Sequence, residues 1–478
     1  MPYTEILQVK NYINGQFMDA DEHLPVYNKY DQKFIAKVPV ATLNQVEEAL
    51  QAVHKSFSVF KKFSAEKRAG ILQDLYDMLQ AQSEAFAFLI ASEGGKPISY
   101  ARSEVSRALD NIKTGMRECL VFSGEQVPMD YLNGKNKIAY TIRQPIGPVL
   151  GITPFNFPLN LALHKIIPAI AVGTPIIIKP APQAPLTMLA LANLLHRTKL
   201  SEGAVNILFT SNENAQRMLE DERIKIFSFT GSDKIGWMLK QLAYKKKVLL
   251  ELGGNAAAII DETAQLKRAA RKLAYGSFLN AGQICISTQR IYVAQPVFNT
   301  FMDAFIEETN KLSSGNMFDE DVINSSMISA GDLQRILAWI DEAKQQGAKV
   351  VLGGTAHNRE ANILQPTILT QTHKGMKVNS EEAFAPLVCI ESYDDFSQAI
   401  DWVNESRYGL QAGVFSNNLQ NVLQAQNDLE VGSVIVNDAP GFRIDSMPYG
   451  GIKDSGMGKE GARYVMQEYT EAKLIVMG

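Results

Sequence analysis

The chain has 478 residues, 46% hydrophobic and 21% charged, with 33 glycines, 19 prolines and no biased tract, which excludes collagen-like, disordered and low-complexity classes. That length exceeds the ~100–200 residues of one domain, so two or more folded units are expected. Lys+Arg at 47 against Asp+Glu at 51 leaves a net charge of −4 without a long basic run, so a phosphate-tracking nucleic-acid surface is not expected.

In chain order, Tyr12-Ile13-Asn14-Gly15-Gln16-Phe17 reads as a hairpin turning at Asn-Gly. Thr42-Leu43-Asn44-Gln45 reads as a capping box, followed by Val46, Ala49, Leu50, Val53, Phe57 and Phe60 at helical spacing. Ser64 caps a second predicted helix, whose stripe Ile71, Leu75, Met78, Gln82, Phe86 and Leu89 runs on to Glu93-Gly94-Gly95. A third helix is predicted from about Ile98 to Phe122. Residues 123–128 and 137–142 then read as two strands of a projecting hairpin.

From residue 149 short apolar runs alternate with helices. The runs are 149–152, 176–178, 205–208, 226–229 and 248–250, and the helices lie near 159–172, 186–198, 213–220 and 233–244. Continuous apolar strands are buried on both faces, which predicts a parallel, doubly wound α/β sheet with its ligand site beyond the carboxyl ends of the strands. A second α/β round over 256–440 has strand candidates at Val293, 350–352, 388–390 and 434–436. The apolar tail Lys473-Leu474-Ile475-Val476 is expected to add to a partner's sheet.

Several residues sit where chemistry is done. Cys285 follows a Gly282-Gln283 break, near an expected helix start whose backbone N–H groups would stabilise a thiolate; a buried structural cysteine is the competing reading. Glu251 ends an apolar strand, where desolvation raises a carboxyl towards a general base's range; a cap or ion pair competes. Asn156, held between Pro154 and Pro158, has a fixed direction from which to donate to an oxyanion; an ordinary turn Asn competes. Thr230-Gly231-Ser232 opens a helix that could face a pyrophosphate, and Lys179 ends a strand within reach of ribose hydroxyls.

Together these segments resemble the aldehyde dehydrogenase superfamily over nearly the whole chain. Phe155-Asn156-Phe157-Pro158, Lys179-Pro180, Phe229-Thr230-Gly231-Ser232, Glu251-Leu252-Gly253-Gly254, Gly282-Gln283-Ile284-Cys285, Glu381-Glu382-Ala383-Phe384-Ala385-Pro386 and Pro448-Tyr449-Gly450-Gly451 occur in that family's order and spacing. The resemblance implies a dinucleotide-binding domain (1–122 and 143–250), a catalytic domain (251–459) and a bridging region (123–142 and 460–478) that builds homodimers or homotetramers. It implies NAD(P)-dependent oxidation in which Cys285 captures the aldehyde carbonyl. Asn156 holds the oxyanion, hydride passes to the nicotinamide, and Glu251 activates water to release the acid.

Thr153, Pro154, Phe155, Lys179, Pro182, Gly231, Ser232, Leu252, Glu382 and Phe384 are the implied cofactor contacts. Pro182 stands where NAD-selective relatives often carry a Glu that repels a 2′-phosphate, so NAD is expected with NADP admitted. No metal ligand set is expected.

For the substrate, the segment 441–451 looks similar to the branch that oxidises lactaldehyde and other short 2-oxygenated aldehydes. Arg107, His164 and Arg443 are the expected contacts of a hydroxylated or singly anionic tail, with succinate semialdehyde the alternative substrate. A cysteine hydrolase and a non-catalytic relative are the rival classes; cofactor-dependent absorbance at 340 nm separates the first, and retention of both Cys285 and Glu251 speaks against the second. No apolar run reaches the ~20 residues of a spanning helix, the amino terminus lacks a signal-peptide pattern, and three scattered cysteines fit a reducing cytoplasm.

Overall fold

Apolar side chains at successive strand positions divide between the two faces of the first sheet, and this places helices on both sides of it. In the computed structural model, which describes residues 3–478, Val149, Ile176, Ile178 and Ile226 pack on one face; Leu150, Ile177, Phe227 and Leu250 pack on the other. The strand order is 16–18, 11–13, 205–207, 176–179, 149–152, 226–230, 247–251 and 456–457. The five strands from 205–207 to 247–251 are mutually parallel, and the pairs at either end are antiparallel. The chain winds outwards from 149–152 to 205–207, then returns to 226–230 on the other side. The crevice at that reversal is the place where such sheets bind ligands.

Helix α1 (Leu43–Phe60) begins with the predicted capping box at Thr42 and Gln45, and α2 (Ala65–Ala81) is capped by Ser64. The second predicted helix is two helices. Gln82 leaves helical geometry (φ −114°, ψ 15°), the Ser83 hydroxyl bonds back to the Leu79 and Gln80 carbonyls, and α3 (Ser83–Gly94) starts afresh. Helix α4 (Ile98–Val121) packs against α2 and against α5 (Asn160–Val172) beneath the sheet.

The second sheet runs 349–352, 367–370, 387–393, 290–294, 257–260, 411–415, 433–436 and is parallel except at its first pair. Residues 470–477 pair in full register with 138–145 of the same chain, and 126–127 completes that three-stranded sheet. Intrachain pairing satisfies the tail's backbone on one edge. No helix among the described residues is long and apolar enough to cross a membrane.

Two glycines test the packing. A methyl at Gly115 in α4 would lie 2.1 Å from the Ile167 Cγ2 of α5, whereas one at Gly70 in α2 meets nothing within 4 Å. Overpacking costs about 1–3 kcal/mol, against about 0.5–1 kcal/mol gained by replacing a helical glycine with alanine. Gly70→Ala is therefore expected to raise the midpoint of thermal unfolding and Gly115→Ala to lower it.

Candidate active site

Four strand ends of the first sheet build the walls of a cleft of about 610 Å³, and two loops of the second sheet close it. The turn after 149–152 contributes Thr153, Pro154, Phe155 and Asn156. The end of 176–179 contributes Lys179 and, at the rim, Pro182; the end of 226–230 contributes Gly231 and Ser232; the end of 247–251 contributes Glu251 and Leu252. Cys285, Glu382 and Phe384 enter from the second sheet's side. Every residue expected in a catalytic or cofactor role thus lines one cavity.

Local chemistry fixes each wall. Leu252 lies so close to Gly236 that a methyl there would come within 2.3 Å of its Cδ2, which lets the helix of residues 233–242 approach the strand end. Ser232 sits at that helix's N-cap with a hydroxyl that makes no capping bond. Lys179 is buried, and desolvation pushes its pKa down to about 8. Glu382 accepts from the Gly254 N–H at 2.8 Å, and burial pushes it up to about 7. Phe155 and Phe384 meet edge to face at 5.9 Å.

Cys285 lies in a turn after the helix Leu266–Phe278 and a short 3₁₀ turn, not at a helix start. The chain runs from this turn directly into strand 290–294, so no helix begins at the cysteine. Its Sγ lies 3.0 Å from the Tyr449 hydroxyl, and burial pushes the thiol up to about 12, with Tyr449 and the Arg443 charge acting the other way. Gly254 permits the approach, since a Cβ there would strike the Cys285 carbonyl at 2.1 Å. Asn156 donates one amide hydrogen to the Gln283 carbonyl at 3.0 Å, which leaves the second for another acceptor. Glu251 is buried with Oε2 unpartnered; desolvation first, then the nearby Glu460, raise its pKa well above the carboxylate range.

Arg107, His164 and Arg443 do not line this cleft. They converge behind it on Asp445, which is buried and which sequence reasoning did not single out. Arg107 grips Asp445 through Nε and Nη2 at 3.0 and 2.7 Å, His164 Nε2 lies 2.8 Å from it, and Asn160 donates at 3.1 Å. Arg443 donates to Glu460 at 3.0 Å, and Lys165 lies 3.6 Å from Glu460. Although burial raises a carboxyl's pKa, the hydrogen bonds from His164 and Arg107 hold Asp445 well below the usual range. A second cavity of about 580 Å³, lined in part by Tyr100, Tyr275, Ile284, Ile286 and Phe442, reaches the opposite side of the Cys285 turn.

The described geometry has close relatives. Residues 17–475 match the model of the aldehyde dehydrogenase family. The chain is 40% identical over 476 residues to 3-sulfolactaldehyde dehydrogenase of Priestia aryabhattai, covering 99% of each. It is 36% identical over 471 residues to lactaldehyde dehydrogenase of Methanococcus aeolicus, covering 98% of this chain and 99% of that one. The crystal structure of aldehyde dehydrogenase 21 from Physcomitrella patens, in complex with the reaction product succinate, superposes with a TM-score of 0.95 at 38% identity over 98% of each chain.

Breaking a buried ion pair from one side costs about 3–5 kcal/mol. Asp445→Asn is expected to lose about that much in urea unfolding at pH 7. Because the folded carboxyl's pKa is depressed, its contribution is complete above the unfolded value of ~3.9 and fades as pH falls below it. The gap between wild type and variant is therefore expected to narrow in acid.

Proposed function

The chain belongs to the aldehyde dehydrogenase family, and from that premise we propose a mechanism and a substrate class. It is an NAD(P)-dependent oxidoreductase acting on aldehydes; solved relatives are described as complexes with NADP or NAD+. The cleft fits such a cofactor: it is large, and Lys179 stands in its wall with desolvation as the cause of its lowered pKa. Lys179, Pro182, Ser232, Leu252, Glu382 and Phe384 would hold the dinucleotide, with Thr153, Pro154, Phe155 and Gly231 shaping the wall. When bound, the cofactor supplies a hydride acceptor. Pro182 brings no carboxylate to repel a 2′-phosphate, so NAD is the proposed cofactor and NADP is admitted.

The observation that carries the mechanism is the convergence of Cys285, Glu251 and Asn156 on one cleft from two different sheets. The Cys285 thiol gives its proton to water, Sγ forms a bond to the aldehyde carbon, and the carbonyl π-bond breaks with its electron pair going to oxygen. The carbonyl oxygen takes up negative charge and accepts from the free amide hydrogen of Asn156. It also accepts from the Cys285 N–H, which donates to no backbone carbonyl. After oxidation the acyl group remains on Cys285 as a thioester. Glu251 takes a proton from water, the water oxygen bonds to the acyl carbon, and the carbon–sulfur bond breaks to free the acid.

For the substrate we favour a small hydroxylated or singly anionic aldehyde, entering through the cavity of Tyr100, Tyr275 and Phe442. Two basic side chains, Arg271 and Lys272, stand in the lining of that cavity beside one carboxylate, Asp438. The relatives named for 3-sulfolactaldehyde and lactaldehyde support the same reading. Succinate semialdehyde is the second candidate, supported by the succinate complex of the Physcomitrella enzyme. The division into cofactor, catalytic and bridging parts belongs to this proposal. So does a cytoplasmic homodimer or homotetramer, supported by the exposed Ile138, Leu474, Val476 and Met477 on the three-stranded sheet.

Cys285→Ala is expected to abolish both aldehyde oxidation and ester hydrolysis; substantial residual oxidation would place the nucleophile elsewhere. Glu251→Gln is expected to keep a burst of reduced cofactor while slowing steady turnover. Because Glu251 acts as a base only once ionised, wild-type kcat is expected to rise with pH through an ionisation well above the usual carboxylate range, and the variant to lose that rise.

Across a panel, kcat/KM is expected to be higher for lactaldehyde, glycolaldehyde and succinate semialdehyde than for hexanal and benzaldehyde. The reverse order would overturn the proposed substrate class.

A further inference from the structure

Nothing basic touches the Cys285 sulfur. Of the six histidines, His164 alone belongs to the cluster behind the site, and its Nε2 faces Asp445 and Arg443 rather than the thiol. The partner at hydrogen-bonding distance is the Tyr449 hydroxyl, 3.0 Å from Sγ, on a side chain only 3% exposed. The Arg443 guanidinium carbon lies 3.7 Å from the centroid of that ring, and Arg443 is anchored in turn by Glu460 at 3.0 Å. The tyrosine's backbone is fixed on Glu460 as well, with N–H···O bonds of 3.1 and 2.6 Å in the two directions. The ring therefore has little freedom to turn away from the sulfur.

We propose that Tyr449 is a catalytic residue, its hydroxyl donating a hydrogen bond to the Cys285 thiolate. The proposal rests on the reading of Cys285 as the nucleophile. With a neutral thiol either atom can donate; once the thiol has given its proton to water, sulfur can only accept, and the phenol becomes the donor. A hydrogen bond to an ionised acceptor is roughly twice as strong as a neutral one, so the contact favours the ionised sulfur. A cation at the ring face also makes the phenol more acidic and hence a better donor.

Burial holds the Tyr449 hydroxyl well above its ordinary pKa, so it stays protonated over the working range. The other groups facing the sulfur are Glu251 and Glu382, which disfavour its ionisation, Arg443, which favours it, and Tyr100.

The test is alkylation of the enzyme without cofactor or aldehyde by iodoacetamide, followed at the peptide containing residue 285 by mass spectrometry. Thiolate attacks the methylene carbon, a carbon–sulfur bond forms, the carbon–iodine bond breaks and iodide leaves. A hydrogen bond to a charged group corresponds to about one to two pH units. Tyr449→Phe is therefore expected to move the alkylation midpoint up by about that much, a fall of roughly ten- to a hundred-fold in rate at pH 7. Site-specific 3-fluorotyrosine at 449, nearly isosteric and a stronger donor, is expected to move the midpoint down. This arm remains readable even where the phenylalanine variant does not fold.

A folded Tyr449→Phe with the wild-type midpoint, or a fluorotyrosine enzyme with an unmoved one, would overturn the role of the hydroxyl. If the Cys285→Ala variant is inactive, such a result leaves the nucleophile assignment standing. Retained oxidation by Cys285→Ala would overturn both.

Discussion

Holding a carboxyl and a thiol together where burial disfavours the charged form of each is the constraint on which this molecule turns. Glu251 comes from the last long strand of one sheet and Cys285 from a loop of the other, and each ionised form is disfavoured by burial before any partner acts. The segment 441–460 lays Arg443 and Lys459 beside Glu251, which favour its ionisation, and Glu460, which opposes it, and pairs Gly456-Met457 with the end of the Glu251 strand. One stretch of chain therefore sets both the spacing and the electrostatics of the site. The glycines within it are dictated by that closeness: a Cβ at Gly450 would lie 2.7 Å from Glu251 Oε1, and one at Gly456 would strike the Leu250 carbonyl at 2.0 Å.

Much of the first sheet is legible in the sequence because its strands are short, continuous and β-branched, as in Ile176-Ile177-Ile178, and are bounded by Gly or Pro. The second sheet is less so. Its central strands Ala257–Ile260 and Gln411–Phe415 carry alanine and glycine, which weaken a strand signal, and Gly413 is there because the Asp438 carbonyl would meet a side chain at 2.9 Å. The division of the second helix at Gln82 is equally hidden, since the apolar stripe continues past it without a proline or glycine.

The site divides along the same line. Residues that end strands or follow turn punctuation announce themselves, and they meet in one cleft. Asp445, Glu460 and Lys165 do not, because each meets a partner hundreds of positions away, as Arg107 meets Asp445 and Lys165 meets Glu460. Tyr449 lies inside a recognisable segment, yet residue type alone gave no reason to aim its hydroxyl at a sulfur. Long-range pairing of polar groups is a property of the folded topology, and single-sequence periodicity carries no trace of it.

The last strand deserves to be followed to its end. It is paired along one side only, so its other side presents an eight-residue row of backbone donors and acceptors beside Leu474, Val476 and Met477. Such an open edge is a template for further strands. A further strand would be held there through main-chain atoms, whatever side chains that strand carries.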